Sequence, residues 1–449
     1  MSTAPLFTDP RAPLGMAARQ LARLSTLEPA PISGRVTRVS GLVVESAGPV
    51  ASVGDVCEIQ LREGRRVPAE VVGFRSGTLI SVPLGDTAGI CPGDRLVARG
   101  STLTVPAGPA LLGRVIDGLG HPIDGAGPVV SGRRAPLRPP ALNPLARAGV
   151  TEPIGTGVRV IDGLLTMGRG QRIGVFGGSG VGKSTLLGMM ARGTAADVVV
   201  LALVGERGRE VRAFLEEDLG AGRDRAVVVV STSDSPPLSR IRAAFTATAI
   251  AEQFRADGAN VLLMVDSITR LAMAQREIGL AAGEPPTAKG YPPSVFAMLP
   301  GLLERAGTLR GQGSISAIYT VLMDGDDITE PITDAVRGIL DGHIMLSRDL
   351  ASQHHFPAID VLGSISRTMT AVVDEGHSAQ AARLRGWLSA LQKNEDLLSV
   401  GAYVAGSQPV LDEALARREA IKAFLCQSAD TLCSLSDAQS ALAQLTGQV

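Results

Sequence analysis

The sequence predicts an α/β protein with a small β-barrel near its amino-terminal end and a helical domain at its carboxyl-terminal end. Between residues 32 and 99, short alternating runs separated by Gly and Asp turns favour a small antiparallel barrel. From about Val158, short apolar runs alternate with helical stretches, which indicates a parallel sheet covered on both faces. After about Met369 the strand pattern ends and helical stretches follow.

The composition is that of a folded protein without a strong charge bias. The chain has 449 residues, with 43 Lys and Arg against 44 Asp and Glu, and 45% of its residues are hydrophobic. A net charge of -1 and an aromatic content of 3% do not favour a nucleic-acid-binding surface. No apolar run approaches the roughly 18 residues that a membrane span needs. We therefore expect a soluble, cytoplasmic protein that binds no nucleic acid.

The four cysteines do not point to disulfides or to a metal site. Cys57, Cys91, Cys426 and Cys433 form no CxxC pair and lack the density of a disulfide scaffold. Zinc sites need clustered ligands, which these positions do not provide. We expect reduced thiols, as is usual in the cytosol.

The sequence divides into four predicted segments. Residues 1–31 form an N-terminal arm, which is either a short amphipathic docking helix or a frayed terminus. Residues 32–102 form the barrel domain, residues 103–372 the domain with the parallel sheet, and residues 373–449 the helical domain. The barrel strands are expected at Arg35–Val39, Leu42–Glu45, Cys57–Leu61 and Val67–Phe74.

The larger domain is predicted to begin with a connector rich in Gly and Pro, over residues 111–147. Ligands of such parallel sheets bind beyond the carboxyl ends of the strands, so polar residues just after the apolar runs are candidates for function. The expected strands of this sheet are Ile173–Phe176, Val198–Val204, Ala226–Val230, Val261–Val265, Ile315–Leu322 and His343–Leu346. The later helices are expected at Ala379–Gln392, Pro409–Ala423 and Ser436–Leu445.

A glycine-rich motif follows the first of these strands. The segment GGSGVGKS fits the spacing GxxxxGK[ST], and a helical run, Thr185–Arg192, comes directly after it. Glycines let backbone N–H groups turn toward a phosphate, and the helix N-terminus adds positive potential. Lys183 would neutralise the outer phosphates, and Ser184 would supply a hydroxyl to Mg²⁺. The predicted nucleotide-binding residues of this loop are Gly177, Gly178, Ser179, Gly180, Val181, Gly182, Lys183, Ser184 and Thr185.

Three carboxylates follow other strands of the same predicted sheet. Asp266 ends the run VLLMVD, where a carboxylate is expected to hold Mg²⁺ through its water shell. Glu206 and Glu210 lie in GERGRE, directly after another strand. We predict that Glu206 orients the water that attacks the γ-phosphorus and that Glu210 steadies the waters of Mg²⁺. The alternative for this loop is a solvated charged turn.

The chain contains, in order, GGSGVGKST, VGERGRE, MVDSITR, GYPPSVFA, YTVLMDGDD, ILDGHIMLSR and FPAIDVLGSISR. Together these segments resemble the catalytic subunits of rotary-type ATPases, and more closely the homohexameric ATPase of bacterial type III export. The similarity runs from about Arg35 to the C-terminus. It implies a RecA-like P-loop NTPase core with an N-terminal small β-barrel and a C-terminal helical domain, with ATP as substrate and Mg²⁺ as cofactor.

The resemblance also assigns roles that the motifs alone do not. It implies Lys183 and Glu206 as catalytic residues, Arg207 beside the phosphates, and Arg367 as an arginine finger that reaches the nucleotide of a neighbouring subunit. A guanidinium there would stabilise the charge that develops on the γ-phosphate oxygens. Phe356 lies where the family places an aromatic ring against adenine. The alternatives are a surface ion pair for Arg367 and a core position for Phe356.

Because one chain would carry both the phosphate loop and the finger, we expect identical copies to close into a homohexamer. The resemblance implies an ATPase that assists export of flagellar proteins at the cytoplasmic face of the membrane export apparatus. Implied partners are a stator-like regulator on the N-terminal arm, an export gate, a central-stalk-like subunit and chaperone–substrate complexes, with peripheral membrane association. The alternatives are a virulence-type injectisome ATPase, a subunit of an ion-translocating ATP synthase and an RNA-translocating helicase.

Overall fold

The computed structural model describes residues 32–323 and 327–447, and the predicted N-terminal arm lies outside these ranges. The chain divides into two compact units, one ending at Ser101 and the other beginning at Thr102. In the described part of the chain, no helix is both long and apolar enough to cross a membrane. The predicted boundary between residues 372 and 373 stays a prediction.

The first unit is a closed six-stranded antiparallel barrel, as the alternating runs predict. The strands are ordered β1-β2-β5-β4-β3-β6, and β6 pairs with β1 to close the barrel. Alternate residues point inward and form an apolar core that includes Val44, Ile59 and Leu96. The barrel strands are β1 (Ser33–Ser40), β2 (Val43–Ala47), β3 (Asp55–Gln60), β4 (Arg66–Arg75), β5 (Thr78–Pro83) and β6 (Arg95–Thr102).

The second unit is built on a nine-stranded sheet with order β19-β18-β12-β17-β15-β13-β14-β8, to which β16 adds beside β17. The central strands are parallel and almost fully buried, which their apolar sequences require. The strands after the barrel are β7 (Thr104–Ala107), β8 (Val115–Asp117), β9 (Arg133–Pro136), β10 (Pro153–Ile154), β11 (Met167–Gly168), β12 (Arg172–Gly177), β13 (Val198–Glu206), β14 (Ala226–Thr232), β15 (Asn260–Asp266), β16 (Gly307–Thr308), β17 (Ser314–Leu322), β18 (Gly342–Leu346) and β19 (Ile359–Ser366).

Helices cover both faces of this sheet and make up the C-terminal region. A π-helical turn, Phe214–Leu219, continues the short helix Gly208–Ala213. The helices are α1 (Arg159–Leu164), α2 (Lys183–Gly193), α3 (Gly208–Ala213), α4 (Pro237–Ala256), α5 (Ile268–Ala281), α6 (Pro293–Leu303), α7 (Pro331–Ile339), α8 (Arg348–Ser352), α9 (Met369–Val372), α10 (Glu375–Lys393), α11 (Glu395–Ser399), α12 (Pro409–Ala416), α13 (Arg418–Leu425) and α14 (Leu435–Thr446).

Three details differ from the sequence-based expectation. The connector contributes β8 at one edge of the sheet. This strand was not predicted, because three residues give too short a pattern to detect. The sheet is not wholly parallel, because β19 runs antiparallel to β18. β19 is an edge strand with one exposed face, and the polar residues on that face interrupt the apolar pattern from which a strand would be predicted. The predicted helix over residues 409–423 is two helices, α12 and α13, separated at Arg417, whose backbone leaves the helical region.

The C-terminal helices share one hydrophobic core with the sheet. Trp387 of α10 and Phe424 of α13 are almost fully buried, and they belong to the same apolar cluster as Ile173 of β12 and Leu186 of α2. The helix that follows the phosphate loop is therefore packed directly into the core that the C-terminal helices complete.

The end of α2 is held by a guanidinium group. Arg225 donates hydrogen bonds to the carbonyl oxygens of Ala191, Arg192, Thr194 and Ala196, at 2.8 to 3.0 Å. The last carbonyls of a helix have no partner within the helix, and a cation there also interacts favourably with the helix dipole. Arg225 thus stabilises the helix whose other end forms the phosphate loop.

Gly157→Ala is expected to lower the thermal midpoint of unfolding by several degrees. Gly157 has φ of +82°, and an added Cβ would lie 2.5 Å from the Cα of Gly193. The left-handed backbone alone costs a non-glycine residue roughly 1–3 kcal/mol. Gly386→Ala is the control, because Gly386 lies within α10 with open space around its Cα. Alanine favours a helix, so equal losses in both variants would contradict this account.

Candidate functional site

The phosphate loop joins the end of β12 to the start of α2. Gly180 and Gly182 have φ of +84° and +86°, a conformation that favours glycine. Gly177 packs so closely that an added Cβ would lie 2.9 Å from the Cβ of Leu346. These positions let the backbone turn tightly before the first turn of α2, so that backbone N–H groups can face an anion.

The side chain of Lys183 reaches across the sheet to Asp266. Its Nζ lies 2.6 Å from Oδ1 of Asp266, and both side chains are almost fully buried. The hydroxyl of Thr320, on the intervening strand β17, also donates to this oxygen at 2.6 Å. The sheet therefore brings the lysine of the phosphate loop and the carboxylate at the end of β15 into direct contact, as their positions after the strands predict.

Glu206, at the end of β13, is the second carboxylate at the carboxyl ends of the strands, and its side chain is largely buried. Its Oε2 lies 2.9 Å from Nη1 of Arg270, which also donates to the carbonyl oxygen of Gly205. Burial raises the pKa of Glu206, the charge of Asp266 raises it further, and Arg270 and Lys183 oppose these effects only in part. The resulting pKa is about 7. A carboxyl group with a pKa near neutrality is suited to accept a proton at physiological pH.

Glu210 and Arg207 form the outer part of the site. Nη1 of Arg207 lies 2.8 Å from Oε1 of Glu210, and Glu206 also makes a hydrogen bond with Glu210. Burial tends to raise the pKa of Glu210, but the hydrogen bonds with Glu206 and Arg207 outweigh it and hold that pKa below its ordinary value. Glu210 therefore carries a negative charge next to a Glu206 that is partly protonated near neutral pH.

The donor set at these strand ends fits a hard divalent cation. Asp266 and Glu210 provide carboxylate oxygens, and Ser184 provides an exposed hydroxyl on the first turn of α2. Oxygen ligands of this kind are the ones that small divalent cations take, usually together with phosphate oxygens of a substrate. The residues present are thus chemically matched to a metal bound with a nucleotide.

Phe356 lies beside the phosphate loop. Two carbon atoms of its ring are 3.6 Å from the position that a Cβ on Gly182 would occupy. The ring is 41% exposed, so it is not a core aromatic. An exposed aromatic face next to a phosphate loop is available for stacking with a nucleotide base.

Arg367 follows the antiparallel strand β19 and therefore lies at the opposite end of the strands from the phosphate loop. Its backbone N–H donates to the carbonyl oxygen of Asp341, and Arg172 at the start of β12 binds the carboxylate of the same Asp341. The phosphate loop follows the other end of β12, which at about 3.3 Å per residue is roughly 17 Å away. An arginine side chain cannot span that distance, so Arg367 does not reach the phosphate loop of its own chain.

Sequence reasoning did not identify three residues of this region. Arg270 and Thr320 contact the site carboxylates only because strands far apart in sequence are neighbours in the sheet. Gln427 joins the C-terminal region to the site: its backbone N–H donates to the carbonyl oxygen of Phe356 at 2.9 Å, and its side chain donates to that of Gly157 at 2.8 Å. The quoted segment MVDSITR contains Arg270 and could have suggested it, whereas Gln427 lies in no motif.

Comparisons with known families agree with this architecture. The nucleotide-binding domain model of the ATP synthase alpha/beta family matches residues 157–366, and the beta-barrel domain model of that family matches residues 36–100. A model described as the T3SS EscN ATPase C-terminal domain matches residues 373–444. The fold and the site together define an ATPase built on a phosphate loop.

Individual relatives cover nearly the whole chain. The flagellum-specific ATP synthase of Bacillus subtilis is 52% identical, over 92% of this chain and 95% of that protein. The type 3 secretion system ATPase of Xanthomonas euvesicatoria is 50% identical, over 94% and 96%. The assembled ATPase EscN of enteropathogenic E. coli, solved with its central stalk EscO, matches with a TM-score of 0.85 at 44% identity, over 92% and 100%. The chain belongs to the family of type III export ATPases, which confirms the predicted fold and enzyme class.

Glu206→Gln is expected to stabilise the protein increasingly as the pH rises from 5 to 8. The folded state holds a proton on Glu206 up to a pKa of about 7, whereas the unfolded chain releases it near 4.5. Wild-type stability contributed by this proton is present at low pH and is lost as the pH rises through 7. Thermal midpoints of the variant minus those of the wild type should therefore grow by a few degrees over this range.

The control for this measurement is Glu216→Gln, a change at an exposed carboxylate on the same segment of chain. Its difference from the wild type should not vary with pH. A pH-independent difference for Glu206→Gln as well would contradict the raised pKa.

Proposed function

We propose that this chain is the Mg²⁺-dependent ATPase of a flagellar protein export apparatus and acts as a homohexameric ring. The observation that carries the enzymatic part is the buried contact of Lys183 with Asp266, next to a Glu206 whose pKa is near neutrality. The carboxyl ends of the strands thus bring together three groups: a cation for phosphate (Lys183), a carboxylate for a metal (Asp266) and a candidate for orienting water (Glu206).

The phosphates of ATP would bind across the N-terminus of α2. Backbone N–H groups of the loop from Gly177 to Thr185 would donate to phosphate oxygens, and the positive end of the helix dipole favours the negative charge. Lys183 is held at this position by Asp266, from which its ammonium group can turn to the β- and γ-phosphates.

Mg²⁺ would be held by Ser184 and Asp266, with Glu210 binding its water ligands. The ion, when bound, neutralises charge on the β- and γ-phosphate oxygens and so lowers the barrier to transfer. Asp266 is oriented for this role by Thr320, whose hydroxyl fixes Oδ1 and leaves the second carboxylate oxygen for a ligand.

Glu206 would orient the attacking water and accept its proton. The ion pair with Arg270 fixes the direction of the carboxylate, and the hydrogen bond to Glu210 offers a route by which a proton can leave. Arg207 is exposed at the outer side of the site and pairs with Glu210, from which it can turn to the phosphates. Phe356 would stack on the adenine ring.

Arg367 would complete the site of a neighbouring subunit. Arg367 is exposed and lies at the opposite end of the strands from the phosphate loop of its own chain. This position supports a contact with the nucleotide of another chain and not with the nucleotide of its own. Each copy then offers a phosphate loop on one side and a finger on the other, which is a heterologous interface that closes into a ring. Six identical copies would give six equivalent sites.

The biological setting is inferred from the relatives. The names of the Bacillus subtilis and Xanthomonas euvesicatoria proteins support type III export, and the EscN structure supports a central-stalk-like partner. We infer further partners in a stator-like regulator bound by residues 1–31, an export gate and chaperone–substrate complexes. The ring would work in the cytoplasm, at the face of the membrane export apparatus, through peripheral association.

A virulence-type injectisome ATPase is the second candidate. The observation that favours it is the match of residues 373–444 to the C-terminal domain model of an injectisome ATPase. The catalytic residues would be the same in both settings, so the two candidates differ in their partners and not in their chemistry.

Lys183→Ala and Glu206→Gln should separate nucleotide binding from hydrolysis. The lysine variant is expected to lose ATP affinity, because the outer phosphates lose their cation. The glutamate variant should keep ATP affinity within about twofold and lose roughly 10² or more in kcat, the usual contribution of an acid–base group. Equilibrium binding and steady-state turnover measure the two effects.

Lys393→Ala, at the exposed end of α10, and Glu217→Gln are the matched controls. Both should retain wild-type binding and turnover. Unchanged ATP affinity in Lys183→Ala would remove the phosphate-loop assignment, and rapid hydrolysis by Glu206→Gln would mean that another group orients the water.

A further inference from the structure

Gln171 is a fully buried amide just before β12, at the end of the strands opposite the phosphate loop. Its Nε2 donates one hydrogen bond to the hydroxyl oxygen of Ser366 at 3.0 Å and one to the carbonyl oxygen of Asp341 at 3.2 Å. Its Oε1 accepts a hydrogen bond from the backbone N–H of Gly168 at 2.8 Å. Both N–H donors and the carbonyl oxygen of the side chain therefore have partners, which fix the orientation of the amide.

Both acceptors of the Gln171 amide adjoin the proposed arginine finger. Ser366 directly precedes Arg367, and its hydroxyl also donates to the carbonyl oxygen of Thr166 at 2.9 Å. The carbonyl oxygen of Asp341 accepts a second hydrogen bond, from the backbone N–H of Arg367 at 3.0 Å. The buried amide thus holds the backbone of the finger through its neighbour in sequence and through an acceptor that the two share.

Other contacts also fix the backbone under the finger. Gly342 of β18 lies so close to β19 that an added Cβ would be 2.4 Å from the carbonyl oxygen of Ile365. Arg172 binds the carboxylate of Asp341 through its Nε and Nη2, both at 3.0 Å. Arg367 itself is exposed. An exposed side chain therefore extends from a backbone that the interior of the protein holds in place.

A fixed backbone matters for a residue that acts in the transition state. The guanidinium group of a finger has to meet the oxygens of the transferring phosphoryl group at the correct distance and in the correct direction. A misplacement of about 1 Å can cost a factor of roughly 10² in rate. Because the guanidinium lies at the end of a long side chain, a small rotation of the backbone moves it much further than the Cα.

We propose that Gln171 is a positioning residue for the arginine finger: its amide fixes the backbone from which Arg367 extends to the nucleotide of a neighbouring subunit. This inference rests on the proposed function of Arg367. In sequence, Gln171 leads through β12 to the phosphate loop of its own chain. In function, it belongs to the finger and acts on the site of the next subunit.

Gln171→Leu should lower kcat roughly ten- to a hundredfold, the range expected for a misplacement of about 1 Å. Leucine is similar in volume but has neither donor nor acceptor, so the contacts with Ser366 and Asp341 are lost. The loss should be smaller than that of Arg367→Ala, because the guanidinium is still present. The affinity for a fluorescent ADP analogue should change less than about twofold. Gln312→Leu, at an exposed glutamine just before β17, should behave as the wild type.

Rings that mix two full-length variants show which side of the interface Gln171 serves. A Gln171→Leu chain keeps its own Glu206, and beside a Glu206→Gln chain it can receive an intact finger. Equal random mixing of these two variants should therefore restore up to about a quarter of wild-type turnover, more than Gln171→Leu rings show alone. Mixing Gln171→Leu with Arg367→Ala should restore nothing, because both chains then carry a defect in the finger.

The opposite mixing pattern would overturn the inference. If Gln171 served the phosphate loop of its own chain, Gln171→Leu would regain turnover with Arg367→Ala chains and not with Glu206→Gln chains. Thermal midpoints are recorded for every variant. A lowered midpoint with wild-type kcat in Gln171→Leu would show a purely structural amide and would overturn the inference as well.

Ser366→Ala decides the matter if Gln171→Leu fails to fold or to form rings, since it removes only the hydroxyl that the amide holds. It should show a loss of kcat and the same mixing pattern, and wild-type turnover would count against the inference. Mixed rings of Glu206→Gln with Arg367→Ala are the reference. No restored turnover in them would overturn the proposed role of Arg367 and this inference with it. Restored turnover in them, but none with Gln171→Leu, would overturn this inference alone.

Discussion

The direction of the strands is the constraint on which the rest of this structure depends. All central strands run in the same direction, so their carboxyl ends lie side by side. Lys183, Asp266 and Glu206 lie at or just after the carboxyl ends of three of these strands. Because β19 runs the other way, Phe356 before it lies near these carboxyl ends and Arg367 after it lies near the opposite ends. The proposed finger therefore lies at the opposite end of the strands from the phosphate loop of its own chain, as the proposed contact between neighbouring copies requires.

The buried ion pair of Lys183 and Asp266 brings opposite charges together at the carboxyl ends of the central strands. Removing one partner of a buried ion pair costs about 3–5 kcal/mol, because the other charge stays buried. The hydroxyl of Thr320 adds a hydrogen bond to the same carboxylate and helps to hold it in place. The negative charge of Asp266 in turn helps to keep a proton on Glu206. Asp266 thus has two effects: it pairs with Lys183 of the phosphate loop, and its charge raises the pKa of Glu206, the group proposed to accept a proton from water.

Much of this site could be predicted from the sequence, because its parts are local. The phosphate loop, Asp266 and Glu206 each follow an apolar strand directly, and the parallel sheet that these strands predict puts their ends together. The partners that orient them could not be predicted in this way. Arg270, Thr320 and Gln427 act through contacts between elements distant in sequence. The strand β19 escaped detection because an edge strand with polar positions has no clear apolar pattern.

The central claim is that Arg367 acts on the nucleotide of a neighbour, and subunit mixing tests it most directly. Glu206→Gln and Arg367→Ala chains with different affinity tags would be expressed together and purified as mixed rings. An Arg367→Ala subunit beside a Glu206→Gln subunit forms one intact site, so random mixing in equal amounts should restore up to about a quarter of wild-type turnover. Neither variant alone should show it. Mixed rings without activity, or full activity of Arg367→Ala alone, would contradict the account.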